Sequence, residues 1–158
     1  MSADRRSQSS ERGAHGPGGP QEYFQRAVVA AFAVTPPPLR EILARNKWVL
    51  HETPNAGDIR KMAEHHRVPV VVCTGALGDS SWKDVLAEIS SLPCPPRLIV
   101  TSEFADDFLW AEVLNLGGFD VLGQPFNEQE VARVLDAAFR KWTEEHEGCG
   151  PSAFVERA

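Results

Sequence analysis

The chain has 158 residues, 16 Lys plus Arg against 22 Asp plus Glu, and a net charge of -6. With 42% apolar and 24% charged residues it has the composition of a soluble globular domain, which excludes wholesale disorder. It has no apolar run near the roughly 18 residues of a membrane span, and no Lys/Arg cluster beyond Arg5-Arg6, which argues against nucleic-acid binding.

The N-terminal MSADRRSQSS has no apolar segment behind its arginines and is not a secretory signal, so a cytoplasmic location is expected. Residues 1–22 hold four Gly, four Ser and two Pro and no aliphatic side chain larger than Ala after Met1, which predicts a disordered tail. Residues 146–158, with Gly148, Gly150 and Pro151, read as a second flexible tail, leaving one domain over 23–145. Of three cysteines, Cys73 lies in an apolar run and reads as a core residue. Cys94 and Cys149 read as incidental, since no C-x-x-C pair is present.

Within the domain, β-prone runs alternate with helical periods. Ala27–Val34 is a continuous apolar run, the pattern of a strand covered on both faces. Thr35 and three prolines break it, and Pro38 can open a helix with Leu39, Ile42 and Leu43 on one side. Trp48–Glu52 is a short strand, and Asn55 a cap for a helix to about His66 with Ile59, Met62 and Ala63 inward. Val68–Thr74 is a third strand, and Ser81 caps a helix with Val85, Leu86 and Ile89 inward. Arg97–Thr101 is a fourth strand. Asp106 opens a helix bearing Leu109, Val113 and Leu116, ended by Gly117-Gly118. Phe119–Leu122 is a fifth strand, and Asn127 caps a long helix striped by Val131, Val134, Leu135, Ala138, Phe139 and Trp142.

Such (βα)5 alternation predicts an α/β, flavodoxin-like doubly wound fold. Its five parallel strands would run in the order 2-1-3-4-5, with helices on both faces and any site beyond the carboxyl ends of the strands. Arg97–Phe126, RLIVTSEFADDFLWAEVLNLGGFDVLGQPF, resembles the second half of a response-regulator receiver domain. It has a strand ending in Thr101-Ser102, a helix, a Gly-Gly turn, a short strand and a Gln-Pro-Phe. The family writes the last piece as Lys-Pro-Phe, with a cis bond before the proline. The resemblance runs over about residues 24–142.

What it implies for activity is an inventory to check. Receivers take a phosphoryl group onto an Asp that ends strand three, hold Mg2+ with an acidic pair after strand one, end strand four in Thr or Ser, and contact the phosphoryl oxygens with a Lys. The chemistry requires a carboxylate nucleophile, carboxylate oxygens for a hard cation, and a positive charge opposite the developing negative one. Here Arg26–Arg40 contains no acid, the acceptor position aligns with Thr74, Val68–Gly78 contains no acid, and the Lys position is Gln124. Only Thr101 keeps its family counterpart, and Val121 stands where a switch aromatic is common.

Several residues admit two readings. Thr74, Thr101, Ser102 and Gln124 form either a relict phospho-site pocket able to hold a small ligand, or a neutral set that ties loops together. Asp79 is a displaced acceptor or, more simply, a turn residue. His65 and His66 point about 100° apart on a helix and read as solvated helix-end residues. GALGDSS lacks the spacing and lysine of a phosphate-binding loop. The helix from Asp106 is apolar at 108, 109, 110, 113, 114 and 116, wider than one core-facing stripe, so Phe108, Trp110 or Leu114 faces solvent or a partner unless tryptophan caps the core edge.

The expectation is a degenerate, stand-alone pseudo-receiver, not an enzyme, with no cofactor and no metal. It would act in signal transduction by binding protein partners, or itself as a homodimer, through a surface including Phe108, Trp110 and Val121. The alternatives are a noncanonical receiver still controlled by phosphorylation or ligand, and a flavodoxin-like small-ligand binder or enzyme.

Overall fold

A computed structural model describes residues 26–145. Both predicted tails lie outside the described residues. The order of elements is β1 (Ala27–Ala31), α1 (Pro37–Arg45), β2 (Val49–Thr53), a 3-10 turn (Ala56–Asp58), α2 (Ile59–His66), β3 (Val70–Thr74), β4 (Ala76–Leu77), β5 (Ser80–Ser81), α3 (Trp82–Ser90), β6 (Arg97–Ser102), α4 (Asp107–Leu116), β7 (Asp120–Gly123) and α5 (Glu128–Glu145). The main sheet has five parallel strands in the order β2-β1-β3-β6-β7. Without the β4–β5 pair, this is the expected 2-1-3-4-5 winding.

Strand alternation divides the core into two layers. Val28, Ala30, Val70, Val72, Ile99 and Leu122 point to one face, under α1 and α5. Val29, Ala31, Val71, Cys73, Leu98, Val100 and Val121 point to the other, under α2, α3 and α4. Burial on both faces is why β1 and β3 read as unbroken apolar runs. The caps at Ser81, Asp106 and Asn127 sit where the sequence placed them, whereas Asn55 caps the 3-10 turn that leads into α2 and not α2 itself. Asn55 Oδ1 accepts from Gly57 N–H at 2.9 Å, Ser81 and Asp84 form a reciprocal capping box, Asp106 Oδ1 accepts from Leu109 N–H at 2.9 Å, and Asn127 Oδ1 accepts from Glu130 N–H at 2.9 Å.

Three expectations are corrected. β1 stops at Ala31 rather than Val34, because its neighbour β2 ends opposite it at Thr53. Val34 is left exposed in the loop. The segment after β3 is a two-residue hairpin rather than an open loop, with Ala76 opposite Ser81 and Leu77 opposite Ser80. Gly78 turns it with φ 60°, a conformation suited to the first position of a tight hairpin turn. Leu116 is exposed rather than inward, because the chain doubles back at Gly117 (φ 111°) and the backbone of Gly118 covers Val113 instead.

The cysteine and histidine readings change as well. Cys73 is a free, buried core thiol whose burial pushes its pKa up, but Cys94 is disulfide-bonded rather than incidental. His66 is not merely solvated: its ring stacks on His51 of β2 at 3.9 Å, with His65 edge-on to it at 4.7 Å. Burial, and then the neighbouring His66, hold His51 below the ordinary histidine pKa.

Candidate functional site

The parallel strands β1, β3, β6 and β7 end at the same edge of the sheet, with Thr74 and Thr101 near the ends of β3 and β6 and Asp79 and Gln124 in the connections beyond β3 and β7. After β1 the chain runs Phe32-Ala33-Val34-Thr35 into the prolines, with Phe32 and Thr35 buried. These side chains offer a hard divalent cation no carboxylate, and a Mg2+ ion does not fit this loop. Among the described residues no group of three or more His, Cys, Asp or Glu could hold a metal.

Thr74 and Thr101 are brought side by side, paired in register across β3 and β6. Thr74 is half-buried. Thr101 is fully buried, and its hydroxyl has no hydrogen-bond partner among the described residues. β3 then passes into the β4–β5 hairpin, which is pinned by Leu77 in the core layer beneath α3. Asp79 sits at the hairpin tip, exposed. Replacing Thr101 by the isosteric valine removes a buried hydroxyl without opening space, and should raise stability by about 1 kcal/mol in thermal or urea denaturation. A fall of similar size would show that the hydroxyl is engaged.

Gln124 belongs to a different feature. Its N–H donates to the Ser102 carbonyl at 3.0 Å, and its bond to Pro125 is cis. It borders an open cleft of about 560 Å³, lined by Ala105, Asp106, Asp107, Trp110, Val121, Gly123, Gln124, Pro125 and Glu130. This cleft runs between the β6–α4 and β7–α5 connections and does not include Thr74 or Thr101. The three relict positions are thus split between the β3–β6 boundary and the neighbouring cleft.

The cleft opens onto an apolar helix. α4 buries Val113 and partly buries Leu109, while Phe108 is 79% exposed, Trp110 50%, Leu114 36% and Leu116 51%. Phe104, in the loop before α4, is 80% exposed. Trp110 is held at its edge, its indole N–H donating to Asp120 Oδ1 at 3.2 Å. Val121, at the switch-aromatic position, is buried in the sheet opposite Val100. Sequence reasoning found Phe108 and Trp110 through the excess width of the apolar pattern. It missed Phe104, because a lone aromatic in a loop carries no periodic signal, and it did not connect Gln124 to Trp110, because their proximity arises from the return of the chain through β7.

No protein-family model matches the chain, and no curated protein sequence matches it. Solved structures do. The signal receiver domain of a Vibrio parahaemolyticus protein described as a Luxo repressor superposes with a TM-score of 0.70 at 16% identity, over 80% of this chain and 99% of that one. The signal receiver domain of an HD domain-containing protein from Pseudomonas fluorescens Pf-5 gives a TM-score of 0.68 at 20% identity, over 78% and 93%. The receiver domain of a sensor histidine kinase from Pseudomonas aeruginosa PAO1, which has a magnesium ion coordinated in its active-site cleft, gives a TM-score of 0.63 at 16% identity, over 73% and 98%. The fold is that of receiver domains.

Proposed function

We propose that this chain is a signalling module of receiver fold that works by docking a protein partner and carries out no phosphoryl transfer. The observation that carries the docking reading is the apolar surface of α4 with Phe104: five large apolar side chains left in solvent beside an open cleft. A lone exposed leucine means little, but three exposed aromatics on one short helix and the loop before it mark an interaction site. The face made by α4, β7 and the outer side of α5 is the docking surface, and Trp110 is its anchor, since large aromatic residues at partly enclosed positions dominate interface energies.

The absence of phosphoryl chemistry follows from the residues at the strand ends. Thr74 is no substitute for a carboxylate acceptor, Gln124 brings no positive charge, and the loop after β1 has no metal-binding acid. Incubation with Mg2+ and a small phosphodonor should leave the intact mass unchanged. A stoichiometric gain of one phosphoryl group, abolished by Asp79→Asn, would overturn this part of the reading.

The docking part is tested by Trp110→Ala. Its side chain is half in solvent and belongs to neither core layer, so the variant should fold as the parent does by circular dichroism. Affinity for a partner recovered by pull-down should fall at least tenfold. Unchanged affinity would place the docking surface elsewhere.

A further inference from the structure

The charge around the Trp110 cleft identifies the chemistry of what docks there, an inference that rests on the docking reading above. The 35 residues from Leu98 to Ala132 contain no Lys, Arg or His, and seven acids: Glu103, Asp106, Asp107, Glu112, Asp120, Glu128 and Glu130. Other elements neutralise two of them, Lys83 pairing with Glu112 at 2.8 Å and Arg45 with Glu128 at 2.8 Å. Asp120 accepts the Trp110 indole N–H, and Asp106 caps α4. Asp107 and Glu130, on opposite sides of the cleft in the first turns of α4 and α5, form no ion pair among the described residues. Arg133 lies one turn beyond Glu130 in α5, and the ion pairs among the described residues do not join the two.

We propose that the occupant of this surface is a segment of a partner protein that places a lysine or arginine in the Trp110 cleft and apolar side chains along α4. A guanidinium or ammonium over the indole gains a cation–π contact, and the carboxylates of Asp107 and Glu130 lie on the cleft wall to receive its charge. Leu114, one turn along α4 from Trp110, supplies adjoining apolar contact. A second copy of this chain fits less well, because a two-fold contact sets the same patch against itself and brings two sets of unpaired carboxylates together.

The test uses the full-length chain as bait against a random-peptide display library, followed by affinity measurements with synthetic copies of the enriched peptides. Enriched peptides should combine basic with apolar residues. The double variant Asp107→Asn/Glu130→Gln, folded as the parent by circular dichroism, should bind them at least tenfold more weakly, and added NaCl should reduce the parent's affinity but barely affect the variant's. No enrichment, enrichment of neutral or acidic peptides, or equal binding by the double variant overturns the proposal. If Trp110→Ala abolishes binding and the charge variant does not, the basic occupant is wrong and the docking reading stands; if neither variant matters, the docking reading fails too. Concentration-dependent dimerisation lost in Trp110→Ala would make a second copy the occupant and overturn the basic-partner assignment.

Discussion

Replacing Gly118 by alanine should lower stability by about 3 kcal/mol, at the upper end of overpacking costs, and the melting temperature by roughly 10 °C. A Cβ at this position would lie 2.4 Å from Val113 Cγ1 and 3.1 Å from the Val113 carbonyl oxygen. Neither can give way easily: Val113 is fully buried between α4 and the sheet, and its carbonyl accepts the Gly118 N–H at 2.8 Å. The turn thus needs glycine at two positions for different reasons, a positive φ at Gly117 and close approach at Gly118. Val113→Ala removes the methyl group that is hit, so the double variant Val113→Ala/Gly118→Ala should be more stable than the sum of the two single losses implies. Strict additivity in urea denaturation, or a Gly118→Ala variant as stable as the parent, would contradict this packing.

Leu77→Ala should cost about 2 to 3 kcal/mol, the usual range for a buried leucine whose surroundings relax only in part. Leu77 is 3% exposed and packs in the layer formed by Trp82, Val85 and the β3 side chains, although it lies in a segment of only two strand residues. Its burial seats the hairpin beyond Thr74. The same loop's tip behaves oppositely: Asp79→Ala, at an exposed position in the hairpin turn, should stay within about 0.5 kcal/mol of the parent. A mild Leu77→Ala, or a severe Asp79→Ala, in urea titrations would show that the hairpin is held by its tip instead.

These two positions differ in how far the sequence announced them. Gly117-Gly118 stood out as a helix stop, since a glycine pair after an apolar period has few other uses. That the second glycine is needed for its closeness to Val113 required the three-dimensional turn. Leu77 gave no such warning: one leucine between Gly75 and Gly78 has no period, and only the cross-pairing of Ala76 with Ser81 reveals a hairpin. The same contrast holds for the candidate site. The missing carboxylates are plain in the residue order, because no fold can supply an acid that the β1–α1 and β3–β4 segments lack. The cleft joining Gln124, Trp110 and Glu130 was not, because its walls come from two connections separated by β7.

By itself, then, the residue order determined the two-sided burial of β1 and β3, the caps at Ser81, Asp106 and Asn127, the doubly wound topology, and the lack of an acid in Arg26–Arg40 and Val68–Gly78. These are properties of neighbouring residues, set by side-chain period, backbone capping and the presence or absence of a functional group. Tertiary structure alone decided that β1 ends at Ala31, that His66 stacks on His51, that Cys94 is disulfide-bonded, that Leu116 faces solvent, and that acids without cations gather around Trp110. Each of these depends on which distant segment arrives as a neighbour. A strand ends where its partner ends, a helix face is buried only where something covers it, and a carboxylate stays unpaired only when no other element brings a cation within reach.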